Sequence, residues 1–422
     1  MTSPSYRNDL RPILILGALF FIFGFVTWLN GTLIPYLKIA CELSTFQSLF
    51  VAFAFYISYF VMALPSSWVL SRTGFKNGMM LGLLVMAVGA LLFIPAARTR
   101  TYGMFLTGLF VIGTGLSLLQ TASNPYITIL GPIERAAQRI SIMGICNKVA
   151  GVLAPIVLGA VVLHDADGLM EELTTLSGDA LSARLDGLAL RVVVPYALMS
   201  VVLVGLAMLV RLSNLPAIKE GSEGPDPADA AQERTSVLQF PQLVLGAIAL
   251  FLYVGVEVIA GDTIGTYAQE QGIPLSSAKH FTSYTLAAMV VGYILGILAI
   301  PRWISQERAL SISAITGTLF GMLALMTTGY LSVLSIALLG LANALVWPAI
   351  WPLAIAGLGR FTKVGSAILI MAIAGGALMP LLYGWLADMP SLGARAAYLV
   401  LLPAYLFILW YGTSGHRKRS WG

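Results

Sequence analysis

The sequence predicts an all-α integral membrane protein with twelve transmembrane helices, arranged as two pseudo-symmetric six-helix bundles. Of its 422 residues, 58% are hydrophobic and 10% are charged, which leaves too much apolar surface for a soluble core to bury. Long intervals without charge and a spacing pattern that recurs in both halves are the other two observations behind this prediction. In hydrocarbon, helices are the open-chain structures that satisfy their own backbone hydrogen bonds.

Charge-free intervals mark the individual spans. Each holds roughly the 20 residues that a spanning helix needs. The interval 308–360 is long enough for two helices, which the polar turn 327–332 separates. A single lysine interrupts the fifth interval, and two acids lie inside the seventh. In chain order the intervals are 11–38, 42–72, 76–98, 100–134, 139–164, 191–211, 243–267, 279–302, 308–360, 363–388 and 395–416.

The lysines and arginines predict the orientation of the chain. With the N-terminus in the cytoplasm, sixteen of them fall on cytoplasmic segments and seven on outer segments, which satisfies the positive-inside rule. We therefore expect both termini in the cytoplasm, and the net charge of +5 reports this topology. The apolar run of the first span is too long for a signal-peptide core, so we expect it to remain in the mature protein.

Other functional classes have little support in the sequence. No basic patch with interleaved aromatic residues indicates a nucleic-acid partner. Cys41 and Cys146 are too few for a disulfide framework and lack metal-site spacing. The histidines, His164, His280 and His416, fall in or near loops. We therefore expect neither an enzyme nor a metal-binding protein with histidine or cysteine ligands.

The two halves of the chain repeat each other's spacing. The polar, Pro/Gly-rich segment 213–236 predicts a cytoplasmic linker between bundles at 1–212 and 237–422. A Gly-x3-Pro-x3-Gly spacing in the fifth span recurs 225 residues later in the eleventh, and a proline of the fourth recurs 223 residues later in the tenth. Such parallel repeats predict a pseudo-two-fold axis along the membrane normal and a ligand site at mid-membrane. The residues are Gly151, Pro155, Gly159, Gly376, Pro380, Gly384, Pro125 and Pro348.

Three charged residues lie at membrane depth: Lys148, Glu257 and Asp262. A charge at that depth costs about 2.5–3.5 kcal/mol even on a lenient insertion scale, so it is usually kept for a pathway, a proton or an ion. These residues predict a transporter whose core handles polar cargo. Lys148 has three interpretations: the counter-ion of a carboxylate, a donor to the cargo, or one member of a structural ion pair.

The two acids are expected to divide their roles. They stand five residues apart, about 140° on a straight helix, so they line one face only if Gly261 breaks or overwinds the helix. Glu257 shares a face with Tyr253 and would accept hydrogen bonds from cargo hydroxyls. Asp262 shares a face with Thr266 and would either titrate or bind Na⁺ together with hydroxyl and carbonyl oxygens. In the alternative interpretation Asp262 only touches the outside water.

Four stretches carry a resemblance to a known family: FIFGFVTWLNGTLIP at 21–35, ASNPYITILGP at 122–132, YVGVE at 253–257 and GGALMP at 375–380. They lie in both halves, so the resemblance spans nearly the whole chain. On these residues the chain resembles the major facilitator superfamily and, within it, the fucose–proton symporter family of bacterial sugar permeases. The general loop signature of the superfamily is degraded here, because Ser71 stands where an Asp is usual.

The resemblance also has departures. Fucose symporters carry an acid in the first helix and another in the fourth, where this chain has Gly31 and Gln120. Proton coupling through those two positions is therefore excluded. The stretches 139–151 and 254–262 resemble the branch that includes glucose/galactose and N-acetylglucosamine permeases.

The resemblance implies a secondary active sugar transporter in a bacterial inner membrane. We expect alternating-access uptake of a hexose or N-acetylhexosamine with a coupling cation, H⁺ or Na⁺, and no other cofactor. The expected partners are the sugar and the lipid bilayer, and the protein is expected to function as a monomer. The alternatives are an uncoupled sugar facilitator and a drug-efflux antiporter.

Amides and tryptophans are the predicted sugar contacts. Amides offer both donors and acceptors to sugar hydroxyls, and a Trp face stacks on the apolar side of a pyranose ring. The alternative is that they bond neighbouring helices or fill space between them. The predicted substrate-binding residues are Gln120, Asn124, Asn147, Glu257, Asn343, Trp347, Asn30 and Trp28. The predicted coupling-ion residues are Asp262, Glu257 and Lys148, with Thr266 as a further ligand if the ion is Na⁺.

Overall fold

The computed structural model describes residues 11–43, 47, 50–130, 132–162, 172–213, 215, 234–273, 281–387, 389 and 391–421. In these ranges the chain is helical with short connections and contains no strand. Ten stretches are long and apolar enough to cross a membrane. One of them, Phe50–Thr99, contains the second and third predicted spans, and the helix Ala136–Val162 supplies the fifth. The predicted all-α membrane fold is confirmed.

Before the linker, the described residues contain seven helices. They are α1 (Arg11–Ala40), α2 (Phe50–Leu91), α3 (Phe93–Thr99), α4 (Tyr102–Ile129), α5 (Ala136–Val162), α6 (Gly178–Leu190) and α7 (Val193–Leu212). Most of the predicted linker, 213–236, lies outside the described residues.

In the part of the chain that the structure describes after the linker, there are ten helices. They are α8 (Pro241–Asp262), α9 (Ile264–Glu270), α10 (Phe281–Ala299), α11 (Gln306–Met326), α12 (Gly329–Asn343), α13 (Val346–Ile355), α14 (Thr362–Met371), α15 (Gly375–Ala387), α16 (Gly393–Ala397) and α17 (Leu401–Thr413). The tenth predicted span is thus divided into α12 and α13, the eleventh into α14 and α15, and the twelfth into α16 and α17.

Helix α2 runs from the second predicted span into the third without an intervening loop. Gly74 interrupts it with φ 75° and ψ 171°, a region of backbone space that glycine enters without a steric penalty. Beyond this bend, Lys76 Nζ donates to the carbonyl oxygen of Ser213 at 2.6 Å. The predicted connection between these spans is therefore a kink at Gly74, where the backbone is not helical.

The sequence also predicts a long outer loop at 164–189, partly amphipathic around Met170 to Leu185. Helix α6 lies in this loop, of which 164–171 is outside the described residues. It buries Leu185 and Leu188, and the Tyr36 hydroxyl donates to the carbonyl of Leu188. Arg100 reaches the same helix, with Nη1 3.5 Å from Asp186 Oδ1. The amphipathic character predicted for this loop thus corresponds to a short packed helix.

The chain divides into two compact units. The first contains Met1–Phe20, Thr121–Lys148 and Pro216–Gly422, and the second contains Phe21–Gln120 and Val149–Leu215. In the first unit α8 is central and packs against α13, α15 and α17, while α11 packs against α12 and α17. In the second unit α7 packs along α2. The division into six-helix bundles at 1–212 and 237–422 stays a prediction.

Helices α8 and α15 approach so closely that one contact requires glycine. A Cβ added at Gly375 would overlap the backbone carbonyl of Phe251, whereas one added at Gly384, further along α15, would meet open space. Gly375 belongs to the GGALMP stretch. Its physical role is to let two backbones meet, as small residues commonly do between membrane helices.

A Gly375→Ala substitution should therefore destabilise the protein. The extra methyl must displace backbone, and overpacking of this kind costs about 1–3 kcal/mol. The matched control is Gly384→Ala, which should be neutral or stabilising, because alanine is favoured over glycine in a helix interior by about 0.5–1 kcal/mol. Thermal unfolding of the purified proteins in detergent measures both. Equal melting temperatures for Gly375→Ala and the parent would contradict the packing argument.

Candidate functional site

A buried ion pair joins α5 to α8. Lys148 Nζ donates to Glu257 Oε1, and the two side chains are 8% and 14% exposed. Each charge is stable at this depth because the other replaces the water that both have lost. Removing one partner of such a pair typically costs about 3–5 kcal/mol, since the remaining charge is left uncompensated. This pairing fits two of the three interpretations of Lys148, the counter-ion of a carboxylate and the member of a structural ion pair, and its role in transport stays a prediction.

Three tyrosines interact with the Glu257 carboxylate. Tyr253 of α8, Tyr293 of α10 and Tyr405 of α17 are all buried and interact electrostatically with it. Two glycines make room for these rings, because a Cβ at Gly144 would overlap Tyr293 and one at Gly317 would overlap Tyr405.

Sequence reasoning missed Tyr293 and Tyr405. Both lie in ordinary apolar spans, where a tyrosine by itself indicates nothing. The only available signal is a glycine on another helix, and no rule links a glycine to a ring far away in sequence. Their contribution to the site depends on how α5, α10, α11 and α17 pack.

Asn343, at the end of α12, carries an unsatisfied donor. Its side chain is buried, and its Oδ1 accepts a hydrogen bond from the Tyr405 hydroxyl at 2.8 Å. Its Nδ2 has no hydrogen-bond partner among the described residues. Buried polar atoms are almost always paired, so this amide N–H group is a place where a bound polar molecule would be favoured.

An aromatic wall follows Asn343 on α13. The Trp347 and Trp351 rings stack with centroids 5.4 Å apart, and Trp347 lies 6.5 Å from the ring of Tyr253. Trp351 is fully buried, whereas Trp347 retains partial exposure. Of the two rings, Trp347 is therefore the one with surface left for a ligand to contact, and Trp351 stacks against it.

Asp262 is the last residue of α8, and its side chain is exposed. The helix stops there, bends at Thr263 and restarts as α9, so the chain breaks within two residues of Gly261. The carbonyl oxygen of Gly261 accepts a hydrogen bond from Thr282 Oγ1 at 2.9 Å. Thr263 Oγ1 donates to Ile259 and lies 2.8 Å from the Tyr398 hydroxyl. The Thr266 side chain lies outside the description.

Asp262 also interacts electrostatically with both Glu257 and Lys148. The described residues form no salt bridge with Asp262, whereas Glu257 is bound to Lys148. The two acids therefore differ in their surroundings: one is the anion of a buried pair, and the other is an exposed carboxylate at a helix break. The division of their roles stays a prediction.

Two other amides predicted to contact the sugar, Asn124 and Asn147, lie in the first unit. Asn124 of α4 is fully buried. Asn147 of α5 donates from Nδ2 to the backbone carbonyl of Phe20 at 3.4 Å. That bond is the interhelical contact considered as the alternative for these amides.

The predicted residues of the second unit are described separately. Gln120 Nε2 donates to the Tyr59 hydroxyl at 3.2 Å. Trp28 lies against Gly151, where an added Cβ would overlap its indole ring. The Asn30 side chain lies outside the described residues. A role in sugar binding stays a prediction for all three.

The fold and the site together define a polytopic membrane protein with charged and amide groups held inside its helical bundle, which is how secondary transporters are built. The chain belongs to the Major Facilitator Superfamily, whose family model matches residues 16–374. The resemblance predicted from the sequence is thereby confirmed.

Similar proteins cover nearly the whole chain. A glucose/galactose transporter of Brucella abortus biovar 1 (strain 9-941) is 36% identical over 417 residues, covering 98% of this chain and 96% of that protein. An L-fucose-proton symporter of Escherichia coli (strain K12) is 28% identical over 390 residues, covering 90% and 88%. The crystal structure of the transporter FucP in the outward conformation has 26% identity and a TM-score of 0.81, covering 95% of this chain and 97% of that one.

Proposed function

We propose that the protein is a secondary active sugar transporter that carries a hexose or N-acetylhexosamine into the cytoplasm with a coupling cation. Glucose, galactose and N-acetylglucosamine are the candidate sugars. The observation that carries this proposal is the buried cluster of Glu257, Lys148 and Asn343 beside the partly exposed Trp347. The glucose/galactose and fucose transporters among the similar proteins support it.

The chemistry of the cluster suits a sugar. A pyranose presents hydroxyls that both donate and accept, together with an apolar C–H face. The Glu257 carboxylate accepts only, the free Asn343 N–H group donates only, and the Trp347 ring supplies an apolar platform. A drug-efflux antiporter for greasy cations would be better served by an apolar lining, so we do not favour that alternative.

Contacts at the start of α5 are candidates for the closed side of an alternating-access cycle. The Ala137 N–H group donates to Gln306 Oε1 at 3.1 Å, and Gln138 Nε2 donates to the Ile297 carbonyl at 2.8 Å. Ala137 also packs with Ile300 and Ala309. In the predicted orientation these contacts lie on the cytoplasmic side, so they would part when the sugar is released.

We propose H⁺ rather than Na⁺ as the coupling cation. At the Asp262 break, the Gly261 carbonyl and the Thr263 hydroxyl already take part in protein hydrogen bonds, so fewer oxygens are free to surround Na⁺. The fucose-proton symporters among the similar proteins support H⁺ as well. One cation entering down a potential of ~100 mV supplies roughly 2.3 kcal/mol, enough for about 50-fold accumulation.

The sugar is identified by counterflow. Proteoliposomes loaded with one unlabelled sugar should take up the same labelled sugar, and a panel of hexoses and N-acetylhexosamines ranks the substrates. Failure of every sugar in the panel to exchange would refute the proposal. An uptake that is insensitive both to an uncoupler and to Na⁺ removal would favour the facilitator.

Asn343→Ala should weaken sugar binding by about 1–3 kcal/mol, or roughly 5- to 150-fold in Kd, because it removes the unsatisfied donor that the sugar would pair. The matched control is Tyr405→Phe, which removes the Tyr405–Asn343 hydrogen bond and keeps the amide. Its effect on Kd should be smaller. Equilibrium binding of the sugar identified by counterflow measures both variants, and parental affinity in Asn343→Ala would place the site elsewhere.

A further inference from the structure

A second polar feature lies at the membrane face where α11 begins and α17 ends. There the structure has a cleft of about 400 Å³, lined by Ser305, Glu307, Arg308, Ser311, Thr413 and Arg417. The two helices meet closely beside it, because an added Cβ at Gly412 would lie 3.2 Å from Ser311 Oγ. The cluster around Glu257 shares no residue with this cleft.

The cleft holds two arginines with unused donors. Arg308 and Arg417 are exposed, and neither guanidinium has a hydrogen-bond or ion-pair partner among the described residues. The neighbouring hydroxyls have already donated their protons, since Ser311 donates to the Glu307 carbonyl and Thr413 to the Leu409 carbonyl. The two guanidinium groups are therefore the available donors.

One carboxylate faces the cleft but is already engaged. Glu307 Oε2 accepts a hydrogen bond from Ser305 Oγ at 2.6 Å, and its Oε1 lies 3.9 Å from His416 Nε2. The lining carries two positive side chains and one negative one, so its net charge is positive before any contribution from His416. An anion is the ligand that this balance favours.

Arg308 begins a stripe of side chains that faces lipid. Ile312, Ile315 and Leu319 follow it on α11 at spacings of four, three and four residues, and they are 53%, 47% and 60% exposed. That spacing keeps all four residues on one helical face. In a membrane the three apolar side chains contact acyl chains. Arg308, at the end of the stripe, then lies at the level of the lipid headgroups.

Helix α17 repeats this arrangement beside it. Thr413 at the cleft is followed toward the membrane interior by the exposed side chains of Trp410 and Leu406. Because α11 and α17 pack against each other, the two lipid-facing surfaces adjoin. The cleft is thus continuous with an apolar surface on both helices.

We propose that this cleft binds the phosphate of an anionic phospholipid, with its acyl chains lying along α11 and α17. A guanidinium forms paired hydrogen bonds to phosphate oxygens, and basic pockets at the ends of membrane helices favour anionic headgroups. A free phosphate ion would use the same arginines but would make no use of the adjoining apolar stripe. The lipid is therefore the occupant that both observations explain.

Native mass spectrometry of the full chain in detergent tests this proposal. The delipidated protein is titrated with phosphatidylglycerol or phosphatidylcholine of matched chain length, and phosphatidylglycerol should bind more tightly. Arg308→Gln and Arg417→Gln should each weaken its binding about fivefold, and the double variant about 25-fold. The matched control is Arg302→Gln, which removes an exposed arginine stacked on Trp303 outside the cleft lining and should leave binding unchanged.

Three results would overturn the proposal. Equal binding of the two lipids would show that charge is not recognised. An equal loss in Arg302→Gln would show that any exposed arginine attracts the lipid. Displacement of phosphatidylglycerol by inorganic phosphate at equal concentration would show that the cleft takes a free anion. The substituted arginines are exposed, so each variant should keep the parental fold. Thermal unfolding of each variant checks this.

Discussion

Replacing Glu257 with glutamine should abolish concentrative sugar uptake. The substitution keeps the shape of the side chain and removes its charge, so Lys148 is left as a buried cation without its counter-ion. The cost in stability should be about 3–5 kcal/mol, and the sugar would lose its strongest acceptor. Gradient-driven uptake into proteoliposomes measures the transport effect, and thermal unfolding in detergent measures the stability.

A double variant separates the two causes of that loss. Glu257→Gln combined with Lys148→Met removes both charges, and replacing a whole buried pair with neutral groups of similar volume is often neutral or stabilising. We expect the double variant to regain thermal stability but not transport. If it regains both, the ion pair is structural and Glu257 does not act on sugar or cation. If Glu257→Gln alone accumulates sugar normally, Asp262 is left as the predicted acid for coupling.

Asp262→Asn should abolish gradient-driven accumulation and leave sugar exchange largely intact. Asp262 is the exposed carboxylate at the break between α8 and α9, while Glu257 is engaged by Lys148. Exchange needs no net movement of the cation, so it survives the loss of a coupling site. One proteoliposome preparation, assayed for both counterflow and gradient-driven uptake of the same sugar, gives the two readouts.

The control for Asp262 is an acid at the same end of the protein with no predicted role. Glu270, at the end of α9, is exposed, and Glu270→Gln should change neither assay. If Asp262→Asn accumulates sugar as steeply as the parent, coupling lies elsewhere and the uncoupled facilitator becomes the favoured function. If it loses exchange as well, Asp262 contributes to sugar binding or to the helix break rather than to coupling alone.

Much of the fold was predictable because a bilayer imposes a simple length rule. Charge-free intervals of about 20 residues located the spans, and the structure places helices in them. Their ends were less predictable. The connection near residue 74 is a kink between two helical stretches, which a glycine with φ 75° allows. The predicted outer loop contains α6, which buries Leu185 and Leu188.

Membership of the repeated spacing did not imply close packing. Gly151 and Gly384 both belong to the pattern, at different positions in it, and an added Cβ would overlap Trp28 at Gly151 but meet open space at Gly384. In α15, Gly375 is the position where a Cβ would overlap the backbone of Phe251. The repeated spacing did not include Gly375. Spacing along a chain records which residues share a helical face, and it is silent about what lies opposite that face.

The sequence by itself determined the membrane class, the spans and the unusual polar residues within them, because each follows from the cost of placing a given side chain in hydrocarbon. Only the tertiary structure decided the partners. Lys148 and Glu257 form an ion pair although they are 109 residues apart in the sequence. Asn343 and Tyr405 form a hydrogen bond although they are 62 residues apart. Such pairs depend on how closely the helices approach. That approach depends on small residues far away in the sequence, because Gly144 leaves space for the ring of Tyr293 and Gly317 leaves space for the ring of Tyr405.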